Sequence, residues 1–422
     1  MRSINAASSL ALLALILAAA GACSPAANDD ANDAAESAAA ATAASYLYVW
    51  TAAEVEGESD FLAVIDADPA SGRYGEVVSS VPAGVRGDAH HSEHVMPEGD
   101  HLFVNSFDAG ASFVIDLSDP LDPRVAAAFE EMGDYNYPHT FERLPSGNVL
   151  ATFQTKGAEH DVAGGLVELD PMGGFVRAAD AADPVDPELR AYSVTPIPKL
   201  DRAVSTTTDM RGEVDGRSFQ VWRLSDLTLL KTVMLPPGPG GYEHGYPAEV
   251  RLLPDSVTAM MTTFACGLYR LRGLETDQPS AEFVSALPWT SGGQNHCGIP
   301  ATTDDIWLQT YANTEGSSLI SMDISDPSNP TVLDELDWDG DWTPHWISIE
   351  PGGERVVLTS GEGETKYRVL IVSLDPATGA LAFDETFRDP GSEQIGVSFE
   401  RMSWPHGEAG TGKPHGAVFS RR

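Results

Sequence analysis

Short apolar segments that end in a polar turn recur along the chain at nearly regular intervals. The seven copies are VIDADP from Val64, VIDLSDP from Val114, LVELDP from Leu166, VWRLSD from Val221, LYRLRG from Leu268, SMDISDP from Ser321 and IVSLDP from Ile371. Their first residues lie 50, 52, 55, 47, 53 and 50 positions apart. Each copy has the length and apolar content of a strand, and most end at Asp-Pro or Ser-Asp, which favour turns. The pattern predicts a repeated β unit.

A second unit, which consists of a strand, a Pro, Gly or Asp turn and another strand, precedes each copy from the second onward. Clear examples are HVMPEGDHLFVNS, HTFERLPSGNVLATF, AEVRLLPDSVTAMMTTF and WISIEPGGERVVLTS. A further outer segment follows the copies, such as RVAAAF after the second. Three to four strands per period are typical of propeller blades. We therefore predict an all-β, seven-bladed β-propeller over residues 45–422, since two separate β-sandwiches would not explain one uninterrupted period.

The two ends of this region each hold part of a blade. The first repeat begins with SYLYVW and lacks the preceding strand–turn unit, whereas GVSFERMSWPHG and HGAVFS near the C-terminus have no apolar copy after them. We expect the N- and C-terminal strands to complete one blade, because ring closure removes the open edges of the sheets.

Residues 1–23 have the features of a lipoprotein signal. Arg2 is followed by the apolar run Leu10–Ala20, which is too short to span a bilayer, and small residues precede Cys23. We predict lipidation of Cys23 or, alternatively, plain secretion. Residues 24–44 contain little apolar surface beyond alanine and predict a disordered tether. The expected location is the bacterial cell envelope, at the outer membrane facing the periplasm because Ser24 follows the cysteine.

Charge and cysteine content restrict the partners. The formal net charge is −38, which repels nucleic acid and anionic lipid and leaves the anchor at Cys23 as the membrane contact. Cys266 and Cys297 could form a disulfide in an oxidising compartment, or stay free.

Histidines follow the same period as the strands. The blade starts carry His90 and His91, His139, Tyr192, His244, His296 and His345, spaced 49 (from His90), 53, 52, 52 and 49 residues apart. A further step of 55 reaches Glu400, with His406 six residues later. First strands line the channel of a propeller, so these side chains should converge, and neutral imidazoles suit copper, iron, zinc or nickel. We predict a transition-metal site, although a single such histidine is often a hydrogen-bonded core residue.

The remaining histidines receive other interpretations. We expect His94 to be a neighbour of the site and His101 and His160 to lie at the surface, while His415 stays unassigned. The Asp-rich stretch 337–341 is interpreted as a solvated turn. Nucleophile-elbow, P-loop and dinucleotide-binding motifs are absent from the sequence, and no catalytic residue is assigned.

Several phrases resemble the selenium-binding protein family, whose members include methanethiol oxidases. They are DFLAVIDADPASGRYGEVVSSVP (60–82), DAHHSEH (88–94), YPHTFERLPSGNVLATF (137–153), PAEVRLLPD (247–255), DISDPSNP (323–330) and EPGGERVVLTS (350–360). The resemblance implies a seven-bladed propeller whose enzymes hold copper by histidines, and His90, His91 and His139 match the family's histidines. It also implies that oxygen oxidises a small thiol to an aldehyde, sulfide and peroxide.

The chain also departs from the family pattern. Members of the family carry a channel histidine near the C-terminus, and its position falls on Glu400 here, for which His406 could substitute. The family's cysteine that is linked with selenium binding falls near Thr51. His244, His296 and His345 stand where family members usually carry other residues. Glu93 is a candidate acceptor that would fix an imidazole tautomer.

The leading hypothesis is a copper-dependent oxidase of a small thiol in the cell envelope. The alternative is a non-catalytic lipoprotein propeller that binds a metal, selenium or a protein partner. A lactonase-like hydrolase would need carboxylates and Asn in the channel, where the blade starts supply imidazoles instead.

Overall fold

A computed structural model describes residues 45–186, 188–287, 296–312, 316–338, 342–363 and 365–421. The predicted signal, the lipidation site Cys23, the tether and most of the Asp-rich turn lie outside these residues. Within them, 30 strands form seven antiparallel sheets, and the one helical element is the 3-10 turn Pro198–Leu200. Among these residues, no helix has the length and hydropathy needed to cross a membrane. The predicted all-β, seven-bladed propeller is confirmed.

Each sheet is one blade, and its strands are given from the channel outward. Blade 1 contains β30 (Gly412–Phe419), β1 (Tyr46–Ala53), β2 (Phe61–Asp66) and β3 (Val77–Pro82). Blade 2 contains β4 (Ala89–Ser92), β5 (His101–Ser106), β6 (Ala111–Asp116) and β7 (Arg124–Phe129). Blade 3 contains β8 (Tyr135–Arg143), β9 (Val149–Lys156), β10 (Val162–Leu169) and β11 (Phe175–Asp180). Blade 4 contains β12 (Ala191–Ile197), β13 (Arg202–Thr207), β14 (Ser218–Arg223) and β15 (Thr228–Met234).

The last three blades follow the same plan. Blade 5 contains β16 (Pro247–Leu252), β17 (Ala259–Thr263), β18 (Gly267–Arg272) and β19 (Ser280–Ala286). Blade 6 contains β20 (His296–Cys297) with β21 (Ala301–Thr303), then β22 (Ile306–Ala312), β23 (Ser317–Asp323) and β24 (Thr331–Asp337). Blade 7 contains β25 (Trp342–Ile349), β26 (Arg355–Gly363), β27 (Arg368–Leu374) and β28 (Leu381–Phe383), and β29 (Val397–Ser398) pairs with β27.

The apolar copies found in the sequence are the third strands of the blades. They carry apolar side chains on both faces because neighbouring blades cover both faces: β2 is buried throughout, whereas the outer strand β7 alternates between exposed and partly buried residues. The described residues form seven apolar clusters, and each lies between two neighbouring blades. The core is therefore a ring of interfaces around the channel.

The predicted closure of the ring by both ends of the region is also observed. β30 pairs with β1 in antiparallel register, with Leu47 opposite Phe419. The expectation that the whole C-terminal strand–turn–strand belongs to this blade is corrected in one respect, since Val397 pairs with Val369 of blade 7. Only β30 enters blade 1, as its innermost strand.

A disulfide between Cys266 and Cys297 links blades 5 and 6. Cys266 directly precedes β18 and Cys297 ends β20, so the bond joins two blades close to the channel. The sequence left this pairing open.

Candidate metal centre

The inner strands bring imidazoles from five blades to the channel. They are His415 of β30, His90 and His91 of β4, His139 of β8, His296 of β20 and His345 of β25. Tyr192 of β12 takes the equivalent place in blade 4, and its ring centroid lies 4.1 Å from that of His139. The period of the sequence thus has a structural cause, because equivalent positions on inner strands meet around one axis.

Three of these side chains form a compact cluster, which we call the three-histidine centre: His90, His91 and His139. One ring nitrogen from each lies within 4.8 Å of the others. The ring centroids of His91 and His139 are 4.2 Å apart, and those of His90 and His91 are 4.4 Å apart. All three residues are buried, with at most 6% of their surface exposed.

The ring nitrogens of the three-histidine centre have few protein partners. Both nitrogens of His90 and of His91, and Nε2 of His139, are buried without a hydrogen bond among the described residues. Buried polar atoms are almost always satisfied, and leaving one unpaired costs about 1–3 kcal/mol. Several such atoms converging on one point fit a bound transition metal, which imidazole nitrogens prefer.

The imidazoles of the centre are held in the neutral form that a metal requires. Burial, followed by the neighbouring histidines, lowers the pKa of His90 and of His91 well below the usual value. Burial likewise lowers the pKa of His139 to about 4. The lone pairs are therefore available at neutral pH without loss of a proton.

The orientation of His139 is set by a main-chain group. Its Nδ1 lies 2.9 Å from the carbonyl oxygen of Tyr192. A carbonyl can only accept, so Nδ1 carries the hydrogen and the lone pair of Nε2 faces the centre, as is common for metal-binding histidines.

Glu93, the acceptor suggested by the sequence, has a different partner. Its carboxylate accepts hydrogen bonds from Arg143 Nε at 2.7 Å and Nη2 at 3.0 Å, and from the backbone N–H of Phe103 at 2.9 Å. The Glu93 side chain is 3% exposed. Its observed role is to join the residue that follows β4 to Arg143 at the end of β8, in an ion pair whose carboxylate is buried.

His415, which the sequence left unassigned, is the fourth imidazole next to the centre. Its ring centroid lies 4.1 Å from that of His90, and its Nδ1 is buried without a partner. The sequence did contain a signal, because a Pro-His pair marks two inner strands at residues 138–139 and 344–345 and recurs at 414–415. The same pair at 405–406 made the signal ambiguous.

Glu400 and His406 do not lie at the channel position that the spacing suggested. Glu400 is exposed in the segment between β29 and β30. His406 lies at blade 1, where its Nδ1 is 2.6 Å from the hydroxyl of Ser80 and its Nε2 is 3.6 Å from Glu408. The 55-residue step fails because a long connection precedes β30.

The three other predicted histidines lie outside the three-histidine centre, toward the end of the channel where the inner strands begin. The ring of His345 is 4.8 Å from that of His415, and the ring of His296 is 6.0 Å from that of His345. His244 is farther out, in a cavity of about 590 Å³ that His296 also lines, with its Nε2 3.4 Å from Arg217. Their assignment as metal ligands stays a prediction.

The opposite end of the channel holds a charged network. His94 lies parallel to the ring of Trp346 at 4.1 Å and contacts Glu249 at 3.1 Å, and Glu249 is ion-paired with Arg251. Although burial opposes ionisation, Arg251 and His94 lower the pKa of Glu249 to about 2. His94 and Arg251 line a cavity of about 820 Å³ together with Glu142.

Glu142 makes the stability of the protein depend on pH. Burial raises its pKa to about 8, and Glu249 and Glu93 add to the effect while Arg251 opposes it. Because the folded state binds the proton more tightly, this carboxyl destabilises the fold increasingly as pH rises from about 4.5 to about 8. We expect the free energy of unfolding of Glu142→Gln to rise relative to that of the parent by about 1–3 kcal/mol when the pH is raised from 5 to 8.5.

Urea unfolding at both pH values measures this difference. The exposed Glu98 provides a matched control, since Glu98→Gln makes the same substitution at the surface. An equal shift for Glu142→Gln would contradict the prediction.

Two curated proteins are similar to this chain over about two thirds or more of its length. No family model matches the chain. The methanethiol oxidase of a Hyphomicrobium species is 28% identical over 315 residues, which cover 68% of this chain and 68% of that protein. The methanethiol oxidase of Ruegeria pomeroyi is 25% identical over 348 residues, which cover 77% and 72%. These relatives confirm the resemblance to the family suggested by the sequence.

Solved structures support the same fold. A hypothetical selenium-binding protein from Sulfolobus tokodaii superimposes with a TM-score of 0.71 over 89% of this chain and 93% of that chain, at 16% identity. A periplasmic gluconolactonase from Pseudomonas aeruginosa gives 0.63 over 90% and 99%, at 13% identity. At these identities the likeness concerns the propeller fold alone.

Proposed function

We propose that this chain, a relative of the selenium-binding proteins and methanethiol oxidases, is a copper-dependent oxidase of a small thiol. The observation that carries the proposal is the set of buried, unpartnered imidazole nitrogens of the three-histidine centre. The names of the two curated relatives support the choice of thiol and oxygen as substrates.

His90, His91 and His139 would hold the copper through nitrogens that have no other partner. Bound copper supplies a soft site for a thiolate and a redox couple for oxygen. Zinc and calcium supply no such redox couple. The hydrogen bond from His139 to the carbonyl of Tyr192 keeps one of these lone pairs directed at the centre. His415 Nδ1, which is also buried without a partner, lies beside His90 as a further imidazole nitrogen at the centre.

Aromatic rings around the centre favour a small apolar substrate. The Phe107 ring lies 6.0 Å from His90 and the Trp346 ring lies 4.9 Å from His91, while Tyr192 covers His139. A short alkyl group can occupy such surroundings at little cost, whereas a charged one would lose its hydration. We therefore expect methanethiol to be a better substrate than glutathione.

The proposed reaction balances without a further reductant. A primary thiol, one oxygen molecule and one water molecule give an aldehyde, hydrogen sulfide and hydrogen peroxide. The carbon–sulfur bond breaks and a carbonyl forms with the oxygen atom of water. Two electrons pass from the carbon to the oxygen molecule, which leaves as peroxide.

Metal analysis and oxygen uptake on the purified protein test the proposal. We expect one copper per chain and oxygen consumption that requires methanethiol and yields sulfide and peroxide. A correctly folded protein that takes up no copper would overturn the proposal. Stoichiometric copper without thiol-dependent oxygen uptake would also overturn the oxidase assignment and favour the non-catalytic metal-binding alternative.

The proposal includes a location in the cell envelope, with Cys23 as lipid anchor. The disulfide between Cys266 and Cys297 supports it, because such bonds persist mainly in oxidising compartments. Activity of the full chain is expected in the washed membrane fraction, and activity confined to the soluble fraction would remove the anchor from the proposal.

A further inference from the structure

A row of imidazoles leads from one end of the channel to the three-histidine centre. The ring centroids of His296 and His345 are 6.0 Å apart, those of His345 and His415 are 4.8 Å apart, and those of His415 and His90 are 4.1 Å apart. Exposure decreases along the row: His296 is exposed, His345 is half-buried, and His415 and His90 are buried.

We infer that His296, His345 and His415 form a loading path along which copper passes from solution to the three-histidine centre. The inference rests on the proposed function, because it requires that the centre binds copper. Each imidazole would act as a temporary ligand, so that the ion exchanges one nitrogen for the next instead of crossing a buried region without ligands.

The burial of the centre creates the need for such a path. An ion that enters must lose its water, and this loss is favourable only where protein ligands replace the water. Phe264 supports the outer two imidazoles, since its ring lies parallel to those of His296 at 5.5 Å and His345 at 6.1 Å. These two imidazoles are therefore packed against an aromatic ring before any ion arrives.

The other end of the channel is unsuited to a cation. The carboxylates of Glu249 and Glu93 near the cavity there are already ion-paired with Arg251 and Arg143, so they are not free to bind a cation. His94, the imidazole at that end, already contacts Glu249, Arg251 and the ring of Trp346. The contrast between the two ends favours entry past His296.

Transit and retention of an ion can be separated by kinetics. A residue that serves only in transit changes the association and dissociation rates by the same factor and leaves the dissociation constant unchanged. A residue that holds the ion in the final complex changes the dissociation constant. His296 is the residue to substitute first, because it is exposed and is the member of the row that lies farthest from the three-histidine centre.

The test measures copper exchange between the full-length protein and a chromophoric Cu(I) chelator under anaerobic conditions. For His296→Gln we expect both loading and release to slow by about tenfold, with one copper per chain and an unchanged dissociation constant at equilibrium. His345→Gln should slow both rates at least as much. His101→Gln is the control, since His101 lies at the other end, where its carbonyl accepts a hydrogen bond from Arg143.

Three results would overturn the loading path. They are parental rates in both variants, a changed dissociation constant in His296→Gln, and an equal slowing in His101→Gln. Failure of the proposed function looks different, because the parental protein itself would then take up no copper from the chelator.

Discussion

Alanine at both His91 and His139 should abolish copper binding and reduce thiol-dependent oxygen uptake to background. The two residues supply two of the three converging imidazoles, and their loss leaves His90 with His415 as its nearest unpartnered imidazole. Loss of an outer partner of a metal ligand already weakens binding about 10–100-fold, so loss of two ligands should exceed this range. Competition with a chelator of known affinity measures the effect.

Glu400→Gln and His406→Gln are the matched controls for this variant. Both positions were candidates on spacing alone, and both lie away from the channel, so each variant should keep the parental copper affinity. The double alanine variant should still show a cooperative urea transition, which separates loss of the metal from loss of the fold. Parental affinity in a folded double variant would exclude the three-histidine centre as the copper site.

Arg143→Met should destabilise the protein by about 3–5 kcal/mol at pH 7.5, the second large effect. The substitution keeps an apolar stem but leaves the Glu93 carboxylate buried without its partner, and breaking a buried ion pair costs this much. The loss of stability in Arg143→Met should be smaller at pH 5.5 than at pH 7.5, because a protonated Glu93 needs no opposite charge. Urea unfolding at the two pH values measures both quantities.

The double variant Arg143→Met, Glu93→Gln identifies the cause. Removing both charges should restore most of the lost stability at pH 7.5, since no unpaired ion stays buried. If the double variant is as unstable as Arg143→Met, the packing of Arg143 on the Phe103 ring, at 5.0 Å, accounts for the loss instead.

The fold could be predicted because its most regular signal has a simple physical origin. A third strand is covered on both faces, so segments such as those starting at Val114 and Leu166 must be largely apolar and end in a turn. Ring closure by the terminal strands followed from the missing half of the first repeat. The period then located His90, His91 and His139 correctly on inner strands.

Other parts of the site have no comparable signal. The acceptor for His139 is the carbonyl of Tyr192, and a main-chain group is invisible in a sequence. Glu93 looked like that acceptor because the sequence does not show Arg143 reaching across from the next blade. His415 was hidden by a second Pro-His pair at 405–406 and by the long connection before β30, which broke the period.

The pairing of β1 with β30 completes the channel, and this pairing is the slowest event that we expect in folding. It joins Leu47 to Phe419, and pairings of such large sequence separation form late. β30 also carries His415, and its Ala417 carbonyl accepts the indole hydrogen bond of Trp346, which packs beside His91. The channel lining around the histidines is therefore complete only after β30 has paired with β1. A fully formed centre requires that all seven blades have folded.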